Sequence, residues 1–385
     1  MTVTDVKASE EAYAYTPGLK VKRRYTVEKT RRLPLPGEVL VKEGDKVDFD
    51  TIVARTKIPG NPQIIRMAEL LGVTNNDIPA FMLKQQGDKV AKGELIAKYT
   101  PFFGLIKKEV KAPVDCTIEN ISTETGQVIV RGAPIPVEIN AYIPGLIKKV
   151  IPSEGVVIET NAALIQGIFG IGGEQKGELL TIVKSREEVL TDEYIKKEYK
   201  DKIIVGGKIV TLEAMKKAKE VGVKGIVVGG VRSIDITAFL GYEIGVAITG
   251  EEPISLSIIA TEGFGEMNMS TRTFDLLSEF NGKKCAINGA TQIRAGVLRP
   301  EIIIPYEEKA GIQEEASIDL ALGMRSGTPI RIIAPPYFGE IGTVIRLPVE
   351  LLKVETGADV RVVEIELGSG EKVVVPRANV EIIEE

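Results

Sequence analysis

The stretch that most limits what this chain can become is LPLPGEVLVKEGDKVDFDTIVART (Leu33–Thr56). Apolar and polar residues alternate over runs of only a few positions, and the runs are separated by Pro-Gly-Glu and Glu-Gly-Asp-Lys. A two-residue period is that of a strand, and glycine with acidic residues at the breaks makes tight turns, so the segment predicts short strands. The texture returns in LKQQGDKVAKGELIAKYT (Leu83–Thr100) and EVKAPVDCTIENISTETGQVIVRG (Glu109–Gly132). PGLIKKVIPSEGVVIET (Pro144–Thr160) echoes PGEVLVKEGDKVDFDTIV (Pro36–Val53) as a loose internal repeat. PQIIRMAELLGV (Pro62–Val73) interrupts the series: Ile64, Ile65, Met67, Leu70 and Leu71 fall at helical spacing. This predicts a helix of about three turns within a helical insertion over 62–84.

From about Gly167 the pattern changes. Lys202–Val231 reads as strand, helix and strand, with Thr211 as N-cap and Gly222 as stop. SREEVLTDEYIKKEYKD (Ser185–Asp201) and RSIDITAFLGYE (Arg232–Glu243) read as further helices, and Ile254–Gly289 as strand, Gly-containing loop, helix and strand. Such alternation implies an α/β layer with a largely parallel sheet. After Pro305 a polar segment leads into an all-β tail. The predicted organisation is an α+β multidomain chain: an N-terminal arm (1–32), a β domain (33–165), a central α/β domain (166–310) and a C-terminal β-barrel (325–385).

Histidine is absent from the 385 residues. That removes Ser–His and Cys–His nucleophilic catalysis and His-containing zinc sites within one chain. Chemistry would fall to carboxylates, Lys, Tyr or an oxygen-held metal. Cys116 and Cys285 lie far apart in strand-like apolar runs, which fits buried thiols in a reducing compartment. No signal-like segment opens the chain and no apolar run approaches a membrane span, so a cytoplasmic location is expected. The net charge of −5 does not favour nucleic acid. One local exception is KVKRRYTVEKTRR, where Lys20, Lys22, Arg23, Arg24, Lys29, Arg31 and Arg32 face a single acid, Glu28. It is a candidate nucleic-acid contact, or else a basic face packed on acidic protein.

Residues Gly87–Thr100 and Glu109–Val130 together resemble the barrel-sandwich hybrid fold of biotinyl and lipoyl domains, modules also found in RNA polymerase large subunits and in Rnf-type electron-transport complexes. The resemblance implies a lysine at the tip joining the two halves. Leu105, within the apolar PFFGLI, holds that position, while Lys107 and Lys108 are out of register. No covalent cofactor lysine, and no cofactor, is therefore expected. GTPIRIIAPPYFGEIGTVIRL (Gly327–Leu347), with Gly339 and Gly342 at its turn, resembles the KOW motif of ribosomal proteins and transcription elongation factors, which implies an SH3-like barrel. From Arg325 to Glu385 there are seven basic and ten acidic residues, which argues for a protein partner over direct RNA binding.

Gly-rich turns after strands are candidate anion cradles. Gly229, Gly230, Arg232 and Ser233 form one set, Gly263, Gly265, Ser270, Thr271 and Arg272 another, and Arg294, beside Asn288, Thr291 and Gln292, a third. None is a P-loop or a dinucleotide fingerprint, so structural glycines are the competing reading. Glu174, Asp235, Glu262 and Glu266 could meet a magnesium ion there, but no spacing supports a metal site. No catalytic residue is assigned. The expectation is a non-catalytic binding or scaffold protein that self-assembles or docks on a larger complex. The alternatives are a nucleic-acid-associated factor, or an enzyme or sensor taking a phosphate-bearing ligand in the α/β domain.

Overall fold

Residues 19–32 form a strand, β1 (Leu19–Arg32), rather than part of an arm. Leu19, Val21 and Val27 are buried, and the strand pairs antiparallel with Gly155–Gln166 along its length, from Val21↔Ile165 to Arg32↔Gly155. The computed structural model describes residues 19–100, 107–243, 250, 252–292, 298–306, 324–332, 337, 340–348, 351–353 and 359–384. It is β-rich throughout.

After β1 come β2 (Glu38–Val39), β3 (Lys46–Val47) and β4 (Ile52–Ile58). Next follow β5 (Pro62–Ile65), α1 (Met67–Leu71), α2 (Ile78–Phe81), β6 (Lys89–Val90), β7 (Leu95–Tyr99), β8 (Lys108–Lys111), β9 (Cys116–Ser122) and β10 (Gln127–Gly132). The chain then returns through β11 (Ile135–Asn140), β12 (Gly145–Ile151) and β13 (Gly155–Gln166). β4 and β11 pair antiparallel as far as Ile58↔Ile135, so Pro62–Gly132 is inserted at the open end of one hairpin.

The insertion repeats its host. The outer ladder β1–β13–β12–β3 has its counterpart in the inner ladder β5–β10–β9–β6. Outer β2–β4–β11 corresponds to the Met82↔Ala97 bridge with β7–β8. The two copies share their turns. Gly44 and Gly87 both take positive φ, 86° and 94°. Asp45 Oδ2 accepts from Lys42 N–H at 2.8 Å, and Asp88 Oδ2 from Gln85 N–H at 2.7 Å. Asp45 O accepts from Ile147 N–H at 2.9 Å, and Asp88 O from Ile118 N–H at 3.0 Å. The sequence Gly-Asp-Lys-Val encodes this turn twice, the glycine supplying the left-handed corner and the aspartate tying it to the backbone. Val47, Val53, Ile147, Val156 and Ile158 fill the outer core, and Val90, Ile96, Ile118, Val128 and Val130 occupy the same places in the inner one. Leu105, at the carrier-lysine position, lies outside the described residues.

The predicted three-turn helix over 62–73 is a correction. Pro62–Ile65 pairs with β10, and the helix is confined to Met67–Leu71, where Gly72 ends it at φ 69°. Cross-strand pairing of Ile64 and Ile65 with Ile129 and Val128 overrides a spacing that also suits a helix.

The next layer holds β14 (Phe169–Ile171), β15 (Glu174–Thr181), β16 (Lys202–Val205), α3 (Leu212–Val221), β17 (Gly225–Val231), α4 (Ser233–Leu240), β18 (Ser257–Phe264), α5 (Thr271–Glu279), β19 (Lys284–Asn288) and β20 (Glu301–Pro305). β15–β16–β17–β18 are parallel, as the alternating pattern predicts, and their apolar runs are buried on both faces. β19, β20 and β13 add antiparallel strands beside β15, and β14 pairs with β18. Because β14 follows β13 directly, the ladder curls back on itself. Ile203, Val205, Val227 and Ile259 line the inside with Ile165, Ile302 and Ile304, where Leu276 and Leu277 of α5 join them. Ile204, Ile226 and Val228 face α3 and α4. Ser185–Asp201 is not the predicted helix: Asp192–Tyr194 and Lys197–Tyr199 are single 3₁₀ turns. Buried Leu190 and Ile195 pin the segment to the layer, with Leu190 N–H donating to Ile209 O at 2.7 Å.

The C-terminal unit contains β21 (Pro329–Ile332), β22 (Ile341–Arg346), β23 (Leu351–Lys353), β24 (Asp359–Leu367), β25 (Lys372–Pro376) and β26 (Val380–Glu384), all antiparallel, around Ile330, Ile332, Val344, Val363, Ile365 and Val375. Gly342 sits in β22, opposite Leu367, while Gly339 lies outside the described residues. β26 also runs parallel to the start of β1, at Leu19↔Ile383. Among the described residues no helix is long and apolar enough to cross a membrane.

Candidate functional site

The basic stretch belongs to β1, and its charges have partners within the fold. Arg23 binds Glu279 through Nε at 3.1 Å, Lys29 binds Glu301 at 2.5 Å, and Arg31 binds Glu174 at 2.5 Å. Lys20 Nζ donates to Tyr25 OH at 2.8 Å, and Arg32 lies 3.7 Å from Glu154. Lys22 is only 4% exposed, and Arg24 sits half-buried at the bulge between Lys22 and Tyr25.

The glycines after β17 meet backbone. Gly229 N–H donates to Gly207 O and Gly230 N–H to Lys208 O, both at 2.8 Å. A Cβ on Gly229 would stand 2.2 Å from Met267 O, and one on Gly230 2.1 Å from Gly265 O. These glycines let the loop after β18 lie against the strand end. Gly229→Ala is expected to cost about 2–3 kcal/mol by overpacking; a urea melt matching the wild type would contradict this. Gly263 and Gly265 take φ of 116° and 106°, as that loop requires. Arg232 pairs with Asp235 at 2.8 Å, and Ser233 opens α4. Arg294 lies outside the described residues.

The carboxylates considered for magnesium stand apart, each with a cation: Glu174 with Arg31, Asp235 with Arg232, Glu262 with Arg331 and Glu266 with Lys208. Lys208 holds the Glu266 carboxyl below its usual range. Among the described residues no acidic or cysteine cluster could hold a metal ion.

Ser270, Thr271 and Arg272 do converge, on a cavity of about 250 Å³. Helix α5 begins here because Ser270 Oγ accepts from Thr273 N–H at 3.2 Å, an N-cap. Ser270 N–H donates to Glu262 Oε1 at 3.0 Å, and Glu262 Oε2 accepts from Arg331 Nη1 at 2.5 Å. The two side chains of this ion pair are 7% and 6% exposed. Arg331 comes from β21, so the pair joins the α/β layer to the C-terminal unit. A second buried pair, Arg299–Glu381, crosses the same seam. Leu19, Val21 and Ile341 form the apolar wall of the cavity, and Gln166 also lines it. Arg331 was not among the residues the sequence singled out. Its available signal is a charge inside an apolar strand, between Ile330 and Ile332.

Burial pushes the Glu381 carboxyl above its usual value, although Arg299 and Arg331 pull it down. A raised folded-state pKa means that its contribution to stability is complete below about pH 4.5 and declines as pH rises through the folded value. The stability difference between wild type and Glu381→Gln is therefore expected to move in favour of the variant from about pH 4.5 to about pH 7. A difference that stays flat in urea melts across that window would oppose it.

No protein-family model matches this chain, and no curated protein matches it.

Proposed function

We propose that this chain is a non-catalytic docking protein that engages a larger assembly through its inner β module, Pro62–Gly132. The observation that carries this reading is the nested duplication. A complete second copy of the outer module hangs on the open end of the β4–β11 hairpin, between Ile58 and Ile135. Its apolar core draws every member from within the insertion, from Ile65 to Val130. Its ion pairs Lys84–Glu94 and Arg131–Glu119 are also internal. The outer copy instead shares its core with Ala286 and Ile303 of the α/β layer. One copy is thus part of the body, and the other is an appendage with surface to offer. Ile64, Leu70 and Leu83 of the appendage are 63%, 54% and 55% exposed.

The resemblance of this module to biotinyl and lipoyl domains supports an arm that presents itself to partners. Leu105 in place of the carrier lysine turns the reading from cofactor transfer to docking. The acidic C-terminal unit, read as KOW-like, fits a protein neighbour better than RNA. The pairing of the β1 cations with Glu279, Glu301 and Glu174 lowers the case for nucleic acid there.

The test is affinity capture of the tagged chain from its own cells, with nuclease, beside a variant in which a short turn replaces 60–133. Co-purifying proteins that resist nuclease and disappear with the excision are expected. The same proteins captured by both chains would reject the docking role of the inner module.

A further inference from the structure

The seam cavity carries an inference independent of the docking role. We propose that it is the seat of a small organic phosphate, a phosphomonoester with a short apolar tail, held between the start of α5 and Arg331.

Arg331 is the decisive side chain. It is 5% exposed, its Nη1 is committed to Glu262, and its Nε has no hydrogen-bond partner among the described residues. A buried guanidinium nitrogen without an acceptor is costly, and a phosphate oxygen in the cavity removes that cost. The opposite wall is the start of a nine-residue helix. Thr271 is its first residue, so its N–H has no carbonyl a turn earlier to bond, and the helix dipole adds positive potential at that end. The ionisable groups lining the cavity are two guanidiniums, Arg272 and Arg331, against one carboxylate, Glu262. Both Glu262 oxygens are engaged, by Ser270 N–H and Arg331. Glu262 therefore positions the arginine and the helix start.

Shape narrows the class. The donors come from Thr271, Arg272 and Arg331, and a tetrahedral phosphate has an oxygen for each, where a planar carboxylate has two. A volume of about 250 Å³ lies below that of pockets for drug-sized ligands, which excludes a nucleotide. A tail of three or four carbons against Leu19, Val21 and Ile341 fits.

The test uses the full chain, with glycerol 3-phosphate as probe and glycerol and lactate as controls, in calorimetry and thermal melts at constant ionic strength. Saturable heat and a raised melting temperature with glycerol 3-phosphate alone are expected. Arg272→Gln and Arg331→Lys should each weaken binding about tenfold or more. Arg331→Lys keeps the charge facing Glu262 and removes only the fork. If it fails to fold, the exposed Arg272→Gln decides. No saturable binding, an equal response to lactate, or undiminished affinity in Arg272→Gln overturns the proposal.

Discussion

Arg331→Ala is expected to lower the stability of the chain by about 3–5 kcal/mol, because it leaves the Glu262 carboxylate buried without its cation. Glu262 is 7% exposed and cannot recover hydration without opening the seam. Its remaining hydrogen bond, from Ser270 N–H, neutralises no charge. The loss should concentrate between the α/β layer and the C-terminal unit, which the Arg299–Glu381 pair and the short β1–β26 pairing would then hold together. The double variant Glu262→Met with Arg331→Met removes both charges and should recover most of the loss, since paired buried charges and apolar residues of similar volume are close in stability. A single variant as stable as the wild type, or a double variant worse than the single, would show that the pair does not hold the seam.

The second large effect separates the two copies of the β module. Ile118 and Ile147 occupy the same position, accept the same backbone constraint from Asp88 and Asp45, and are both buried. Each change to alanine removes a core side chain worth about 2–5 kcal/mol. Their consequences should differ in place. Ile118 packs only within the inner core, so Ile118→Ala should melt the inner module in a separate, earlier transition and leave the body unchanged. Ile147 shares a core with Ala286 and Ile303, so Ile147→Ala should lower the main transition. Hydrogen exchange resolved by peptide reads both. Ile118→Ala loosening β13 or β20 would refute the independence of the inner module.

The turn chemistry was legible in the sequence. Gly44-Asp-Lys-Val47 and Gly87-Asp-Lys-Val90 announce the same corner twice, and Thr211 and Gly222 bound α3 as local rules predict. Nesting was not legible, because the pairing of Ile58 with Ile135 joins residues whose proximity no local pattern encodes. The basic run of β1 looked like a charged surface. Only the register with β13 shows which of its residues turn inward, and the acids that meet them lie far along the chain. At the cavity the helix start was readable from Ser270 and Thr271. Arg331 reaches it from a different unit, through a long-range ion pair that sequence spacing cannot reveal.

The most direct test of the docking account is lysine cross-linking of the tagged full chain in extract from its own cells, with the linked peptides mapped. The account predicts links to other proteins from lysines of the inner module, such as Lys89, Lys92 and Lys111. Links to other proteins confined to the body and the C-terminal unit, for example at Lys196 or Lys372, would contradict it.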